Sequence, residues 1–322
     1  MLTIYETEAG GLKARPDAAT SDKAVWIDLI SPTRDEEQQV ERITGVAIPT
    51  REEMAEIEVS SRLYTELGSH FMTANIIYAV ETPEPLAATV TFVLTNQHLI
   101  TIRYAETRAF NLFLTRARKG DAACHAPTAV MVGLLEAIID READLIERLQ
   151  ADTEKLARTI FSPPGRSPAR SQSLEEIIRQ IGRVGEISSR TRESLLSLGR
   201  VVTYMAQICG ERHDAKIIRQ RLKTEARDIQ SLTDHVQYLG QRINFMLDAS
   251  LGMVSIEQNQ IIKLFSVAAV MLMPPTLIAS IYGMNFKHMP ELEWVFGYPF
   301  ALGLMVLSAL LFYFYFRRKR WL

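Results

Sequence analysis

The spacing of hydrophobic and polar positions changes along the chain and divides it into parts. Over residues 1–125 short apolar runs alternate with polar positions at a period of two, as strands with one buried face do. Leu2-Thr3-Ile4-Tyr5, Ala24 to Leu29, Arg62 to Leu67, Phe71 to Val80, Thr89 to Leu94 and Leu99 to Arg103 are the predicted strands. Two helices are predicted between the second and third. Ser31-Pro32-Thr33 opens one, with Asp35, Glu36 and Glu37 in its first turn, and Thr50 with Glu53 makes a capping box for the other. The stretch is long enough to bury its own core.

From residue 126 the pattern is helical alone. Thr128 to Ile160 reads as one amphipathic helix, broken by Pro163-Pro164-Gly165-Arg166-Ser167-Pro168, and a second runs from about Ser173 to Cys209, so that 126–212 forms a helical hairpin. A third helix starts near His213 and meets no proline until Pro274. Along it Ile218, Leu222, Ile229, Leu232, Val236, Leu239, Ile243, Met246 and Met253 follow alternating steps of three and four, interrupted by Glu225 and Ser250. That is a packing seam of about five heptads. Two positions beyond the seam lies a sparse polar row, Asn244, Asp248, Ser255 and Asn259, which extends as Ile262, Ser266, Ala269, Met273 and Thr276. A coiled-coil stalk with a solvated face has this pattern, and so has the inner wall of a funnel. Direct continuation into a membrane span favours the funnel, whose wall helix would be roughly 100 Å long.

No Asp, Glu, Lys or Arg occurs from Leu264 to Phe286, or from Trp294 to Phe316. Each run would measure roughly 35 Å as helix, enough for a hydrocarbon core of about 30 Å. The connection 287–293 forces the spans 264–286 and 294–316 into an antiparallel hairpin. Arg317-Arg318-Lys319-Arg320-Trp321-Leu322 follows the second span directly, and such a cationic cluster marks the cytoplasmic side. Both termini and the stalk, 213–263, are therefore expected in the cytoplasm. Trp294, Tyr298, Tyr313, Tyr315 and Trp321 sit near span ends, where aromatic rings favour the interface. The first residues read as no signal or transit sequence.

Composition refines this picture. Two cysteines, Cys124 and Cys209, suit a reducing compartment and leave no disulfide framework. A net charge of −2 gives no nucleic-acid signal. The six histidines have no ligand spacing, and Cys124-His125 reads as a loop accident rather than a soft metal site. No phosphate-binding loop, nucleophile elbow or triad appears, so the chain is not expected to be an enzyme or an energy-coupled pump. Were the chain to move a solute, it would do so passively, down a gradient or the membrane potential.

The remaining signal lies between the two apolar runs. Ile281-Tyr282-Gly283-Met284-Asn285-Phe286, then Met289-Pro290-Glu291-Leu292 and Gly297-Tyr298-Pro299, resembles the signature of the CorA family of magnesium channels. Ile256 to Lys263, Pro274-Pro275-Thr276 and the basic terminus are also similar. The likeness is of the bacterial type and covers the whole layout, its specific motifs lying within about 240–322. The implied fold is an α+β cytoplasmic head, a long stalk helix and two transmembrane helices in a homopentameric funnel, in a bacterial inner membrane and in contact with its lipids. The first span lines the pore. Asn285 of Gly283-Met284-Asn285 maps to a ring at the outer mouth that binds hydrated Mg2+; Asn259 and Asp248 map to rings farther in. Ile262, Phe265 and Ser266 fall in the gate region, and Thr276 on the lining.

The chemistry agrees with that mapping. Mg2+ gives up its waters reluctantly, so a selective pore can recognise the hydrated ion with neutral carbonyl oxygens. Co2+ and Ni2+ are expected passengers. The family also senses cytosolic Mg2+ through carboxylates between neighbouring heads. Glu225 and Asp228 lie about where one partner belongs, although the aligned position is Thr224, a departure, and the head partner is unassigned. Residues 134–155 hold seven acids against three bases, read as a solvated helix face. A zinc transporter on the same fold is the alternative, but Phe286 to Leu292 matches the magnesium type. A membrane-anchored coiled-coil scaffold is the more distant one.

Overall fold

Residues 2–103 alternate extended runs with turn residues, and the structure, a computed structural model, folds them into one seven-stranded sheet. It describes residues 1–8, 11–15, 24–56, 58–80, 82, 85–119, 124–161, 174–209, 215–284, 289–290, 294–319 and 321. The strands are β1 (Leu2–Glu8), β2 (Gly11–Arg15), β3 (Ala24–Ile30), β4 (Leu63–Glu66), β5 (Ser69–Tyr78), β6 (Leu86–Leu94) and β7 (Leu99–Arg103). Their order across the sheet is β2-β1-β3-β7-β6-β5-β4, with β3 and β7 parallel and the other neighbours antiparallel. The central parallel pair is covered on both faces. Trp26, Ile27, Leu29, Leu99, Ile100 and Ile102 have no exposed surface, which explains why both strands read as nearly continuous apolar runs.

Three short helices, α1 (Arg34–Thr44), α2 (Arg51–Met54) and α3 (Val59–Arg62), connect β3 to β4, and a fourth, α4 (Arg108–Arg118), follows β7. Thr33 and Glu36 cap α1 reciprocally, as Thr50 and Glu53 cap α2, so both predicted starts are found. α2 stops after one turn because Met54 is its single buried residue, too little apolar surface to sustain more. β2 and α4 were not expected. β2 is short and half-exposed, while Ala109, Phe110, Phe113, Leu114 and Ala117 give α4 a helical apolar face within a region otherwise read as strands.

Three long helices follow, α5 (Pro127–Phe161), α6 (Leu174–Ile208) and α7 (Ala215–Tyr282). The proline cluster 163–168, Gly210 and His213 lie outside the described residues. By contacts the chain divides into Met1–Leu247 and Asp248–Leu322, the boundary falling inside α7. In the first unit α5 packs on α4 so closely that a Cβ on Gly133 would sit 2.5 Å from the Phe113 ring, so only glycine fits there. Contacts of α7 with α5 advance along both helices together: Arg221 with Glu136, His235 with Gln150, Phe245 with Phe161. These two helices are therefore parallel. Contacts of α7 with α6 run the opposite way, Ile229 at Gly199, Gly240 at Ser188 and Ile243 at Gly185, so that pair is antiparallel. The seam predicted on α7 is what these helices cover. Ile218, Leu222, Ile229, Val236, Leu239, Ile243 and Met246 are all buried, and Leu232 is half-buried.

In the second unit α7 continues through Pro274 and Pro275 to Tyr282, and α8 spans Gly297–Arg318. α8 begins three residues later than the expected 294, since Trp294 to Phe296 form a turn. Pro299 then falls in the first turn of α8, where its missing N–H costs no helical bond. At the other end Arg317 and Arg318 belong to the helix rather than to a tail.

Candidate ion path and cation-sensing cluster

The row beside the seam is placed by the same helix. Asn244 is exposed in the first unit; Asp248, Ser255, Asn259, Ile262, Ser266, Ala269, Met273 and Thr276 are all exposed in the second. Phe265, the third expected gate residue, is 70% exposed. Asp248 and Asn259 lie eleven residues apart, three helical turns, on nearly one face and about 16 Å apart along the axis. Thr276 donates its hydroxyl to Leu272 O at 2.7 Å, leaving only oxygen lone pairs to face outward. The row thus offers amide, carboxylate and hydroxyl oxygens separated by small or flexible side chains.

At the end of α7 the helical bonding persists one residue further, Gly283 N to Ala279 O at 3.0 Å, and Met284 N closes a tighter turn on Ile281 O at 3.2 Å. The residue at this turn is Gly283. It does not adopt a left-handed conformation. A Cβ there would stand 3.1 Å from Ala279 O, so its small size is what the turn uses. Met284 is half-exposed. Asn285, with Phe286 to His288, lies outside the described residues.

In the head, Glu225 and Asp228 lie near other carboxylates of the same chain. Glu225 on α7 is half-buried, and burial, then the charges of Glu136, Asp228 and Asp140, push its carboxyl up to about 7, against relief from Arg221. Arg221 grips Glu136 with two bonds of 2.7 and 2.6 Å. Arg116 bonds Asp140 at 3.2 Å. Glu136 and Asp140 belong to the acid-rich stretch of α5, read from sequence as a solvated face. Only part of it is solvated. The stretch winds around α5, and four-residue spacing between Glu136 and Asp140 was the signal that they share one side. Among the described residues no group of three His, Cys, Asp or Glu side chains converges to hold a metal ion within one chain.

Glu142, from the same stretch, is 2% exposed and wedged between β5 and α6. Its Oε1 accepts from Ile77 N at 3.2 Å and meets Ser194 Oγ at 2.6 Å, while Oε2 has no partner. Burial pushes its carboxyl up to about 7, tempered by those two bonds. The Ser194 hydroxyl also lies 2.9 Å from Asn75 O, yet it carries one hydrogen for two acceptors. A neutral Glu142 resolves the shortage by donating to Ser194 Oγ while Ser194 donates to Asn75 O. Two histidines have partners within the head: His98 Nδ1 lies 2.8 Å from Ala24 O and His235 Nε2 lies 3.0 Å from Gln150 Oε1. Cys124 is a buried thiol, raised to about 11 by its burial, and is not poised to bind a metal.

Within the second unit the apolar surface has almost nowhere to go. Of the most apolar stretches of α7 and α8, 6% and 11% are buried within the chain. An α/β head unit followed by two such helices defines an integral membrane protein of two spans. The CorA-like Mg2+ transporter protein family matches residues 21–318. The chain is 36% identical to the magnesium transport protein CorA of Salmonella typhimurium and 35% identical to that of Escherichia coli K12, with both proteins covered end to end. The complete structure of the CorA magnesium transporter from Methanocaldococcus jannaschii superposes with a TM-score of 0.80 at 17% identity, covering 100% of this chain and 99% of that one. The chain belongs to the CorA-like Mg2+ transporter family, a family of transporters and not of enzymes.

Proposed function

We propose that the chain is one subunit of a homopentameric, passive channel that admits hydrated Mg2+ across a bacterial inner membrane, with Co2+ and Ni2+ as passengers. Both termini face the cytoplasm. Asn285 forms the outer ring, Asn259 and Asp248 the inner rings, and Ile262, Phe265 and Ser266 the constriction. The observation that carries this reading is that, on the first of two apolar helices only 6% and 11% buried within the chain, the row from Asp248 to Thr276 sets oxygen-bearing side chains apart on one face. A helix so divided suits a wall around an axis shared by several copies. Neutral amide oxygens can hold a watered ion without binding it too tightly to release it.

Gating by cytosolic Mg2+ is part of the proposal. Glu225 and Asp228, with Glu136 and Asp140 beside them, supply hard oxygen ligands that a divalent ion bridging neighbouring heads would take. Burial first, and then the charges of Glu136, Asp228 and Asp140, raise the Glu225 carboxyl, and a bridging ion would relieve the second of these. Mg2+ uptake into proteoliposomes tests the whole reading. Asn285→Ala is expected to cut uptake at least tenfold and leave the oligomer's mass unchanged; undiminished uptake removes Asn285 from the path, and a monomer or dimer removes the channel.

A further inference from the structure

The residues closing α8 have a use that a pore does not require. Lys319 N donates to Tyr315 O at 3.1 Å, and Trp321 N reaches back to Phe316 O at 3.0 Å, a six-to-one bond of the kind that closes Schellman turns. This turn lays the Trp321 indole on the Phe316 ring, centroids 5.7 Å apart at 26°. Phe316 is buried, so the indole rests on a fixed base. Lys263, on α7, holds its Nζ 5.4 Å above the Trp321 ring, and Lys319 holds its own 5.4 Å above Tyr315. Arg317 and Arg318 are exposed in the last turn of α8.

One cation, Lys263, thus lies over the seated indole, and three more, Arg317, Arg318 and Lys319, stand two to four residues before it in the chain. No Asp or Glu occurs between Glu257 and Glu291 or after Glu293, and Glu257 is about 9 Å before Lys263 along α7. The exposed cations are open to an anion from outside the chain. Depth decides which. α8 has 22 residues, about 33 Å of helix, so its last turn falls where the hydrocarbon ends and headgroups begin. Indole and phenol rings also prefer that level.

We infer that Lys263, Arg317, Arg318, Lys319 and the Trp321 indole form a site for the phosphate of an anionic phospholipid. The lysines are held over rings and the arginines present forked donors, which match a phosphate's oxygens. The indole covers the acyl–glycerol side of the headgroup. This inference rests on the membrane placement alone, not on the pore.

Full-length protein in nanodiscs of phosphatidylcholine with a minor share of phosphatidylglycerol provides the test, the retained lipid being quantified by mass spectrometry. Phosphatidylglycerol is expected to be held above its bulk share. Lys263→Gln is expected to lower that retention about fivefold, as one juxtamembrane charge should, and Trp321→Ala to lower it comparably. Lys263→Arg and Trp321→Phe, which keep charge and ring, are expected to retain it, which separates a lost site from a lost fold. Millimolar inorganic phosphate is expected to leave the lipid in place. Retention at the bulk ratio, Lys263→Gln and Trp321→Ala both matching the unaltered chain, or displacement by inorganic phosphate would each overturn the inference. Mg2+ uptake by the same preparations is judged separately, since its absence with phosphatidylglycerol still held sinks the channel and leaves this site standing.

Discussion

Leu99 in β7 and Leu277 near the end of α7 are the same residue in opposite circumstances. Leu99 has no exposed surface, whereas Leu277 is 60% exposed. The difference holds across the two units. In the head, apolar residues are enclosed by their own chain, and the buried polar groups are mostly paired: Asp28 is bound by Arg103 at 2.7 and 3.1 Å and by Thr101 at 2.6 Å, and Trp26 Nε1 bonds Thr101 at 2.9 Å. In the second unit Phe265, Leu272 and Met273 are 65–70% exposed, and among its described residues only Val267, Ala301 and Phe316 count as buried apolar side chains. A single copy completes its head. It cannot complete its membrane part, where lipid or further copies must supply the missing neighbours.

The sharpest way to break the contrast is to spoil the head's internal pairing. Asp28→Ala leaves the Arg103 guanidinium, 3% exposed, with no counter-charge at the sheet centre. The expected loss is about 3–5 kcal/mol, read as a lowered urea midpoint of the full chain in detergent. Asp28→Leu with Arg103→Met should recover most of it. If Asp28→Ala alone proves neutral, the head is not closed in the sense argued.

Glu142 is the exception that sharpens the comparison, a head residue whose burial is incompletely satisfied. Its folded carboxyl titrates near 7, above the ordinary 4.5, so the folded head holds the proton more tightly than the unfolded chain does. The contribution of Glu142 to head stability is therefore expected to be fully present below pH 4.5 and to be lost by about pH 7, a change of up to about 3 kcal/mol. Glu142→Gln, which keeps a donor toward Ser194, should flatten that decline. A smaller effect is expected at the helix start: Thr33→Ala removes the α1 cap, where Thr33 Oγ1 accepts from Glu36 N at 3.4 Å, and should cost about 1 kcal/mol.

What was legible in the sequence follows the same division. The two capping boxes, the α7 seam and the apolar spans were visible because each is written in local spacing, and α5, α6 and α7 end within a few residues of their expected limits. α4 was missed because its apolar face is short and lies among strands. The acidic neighbours of Glu225 were missed because the α5–α7 register is set by tertiary packing, as the Arg221–Glu136 pair, 85 residues apart in sequence, shows. Glu142 was lost among the acids of α5 for a related reason: which of them faces β5 and Ser194 depends on how the hairpin lies on the sheet. For the candidate path the local pattern was enough to place the row from Asp248 to Thr276 on one helix. The closing of a ring by several copies is not written in any single chain.

The smallest expected effect returns to the two leucines. Leu99→Ala should destabilise the head by about 2–5 kcal/mol through lost contact and a residual cavity. Leu277→Ala, assayed in a bilayer, should change stability by no more than about 0.5 kcal/mol, since acyl chains pack against alanine nearly as well as against leucine. The comparison is informative in both directions. A scan of Leu→Ala and Phe→Ala over the exposed positions of α7 that costs uniformly little assigns that surface to lipid. A cost like that of Leu99, recurring with a period of three to four residues, marks a stripe covered by another copy, because only a packed protein neighbour leaves a cavity when a side chain is cut back.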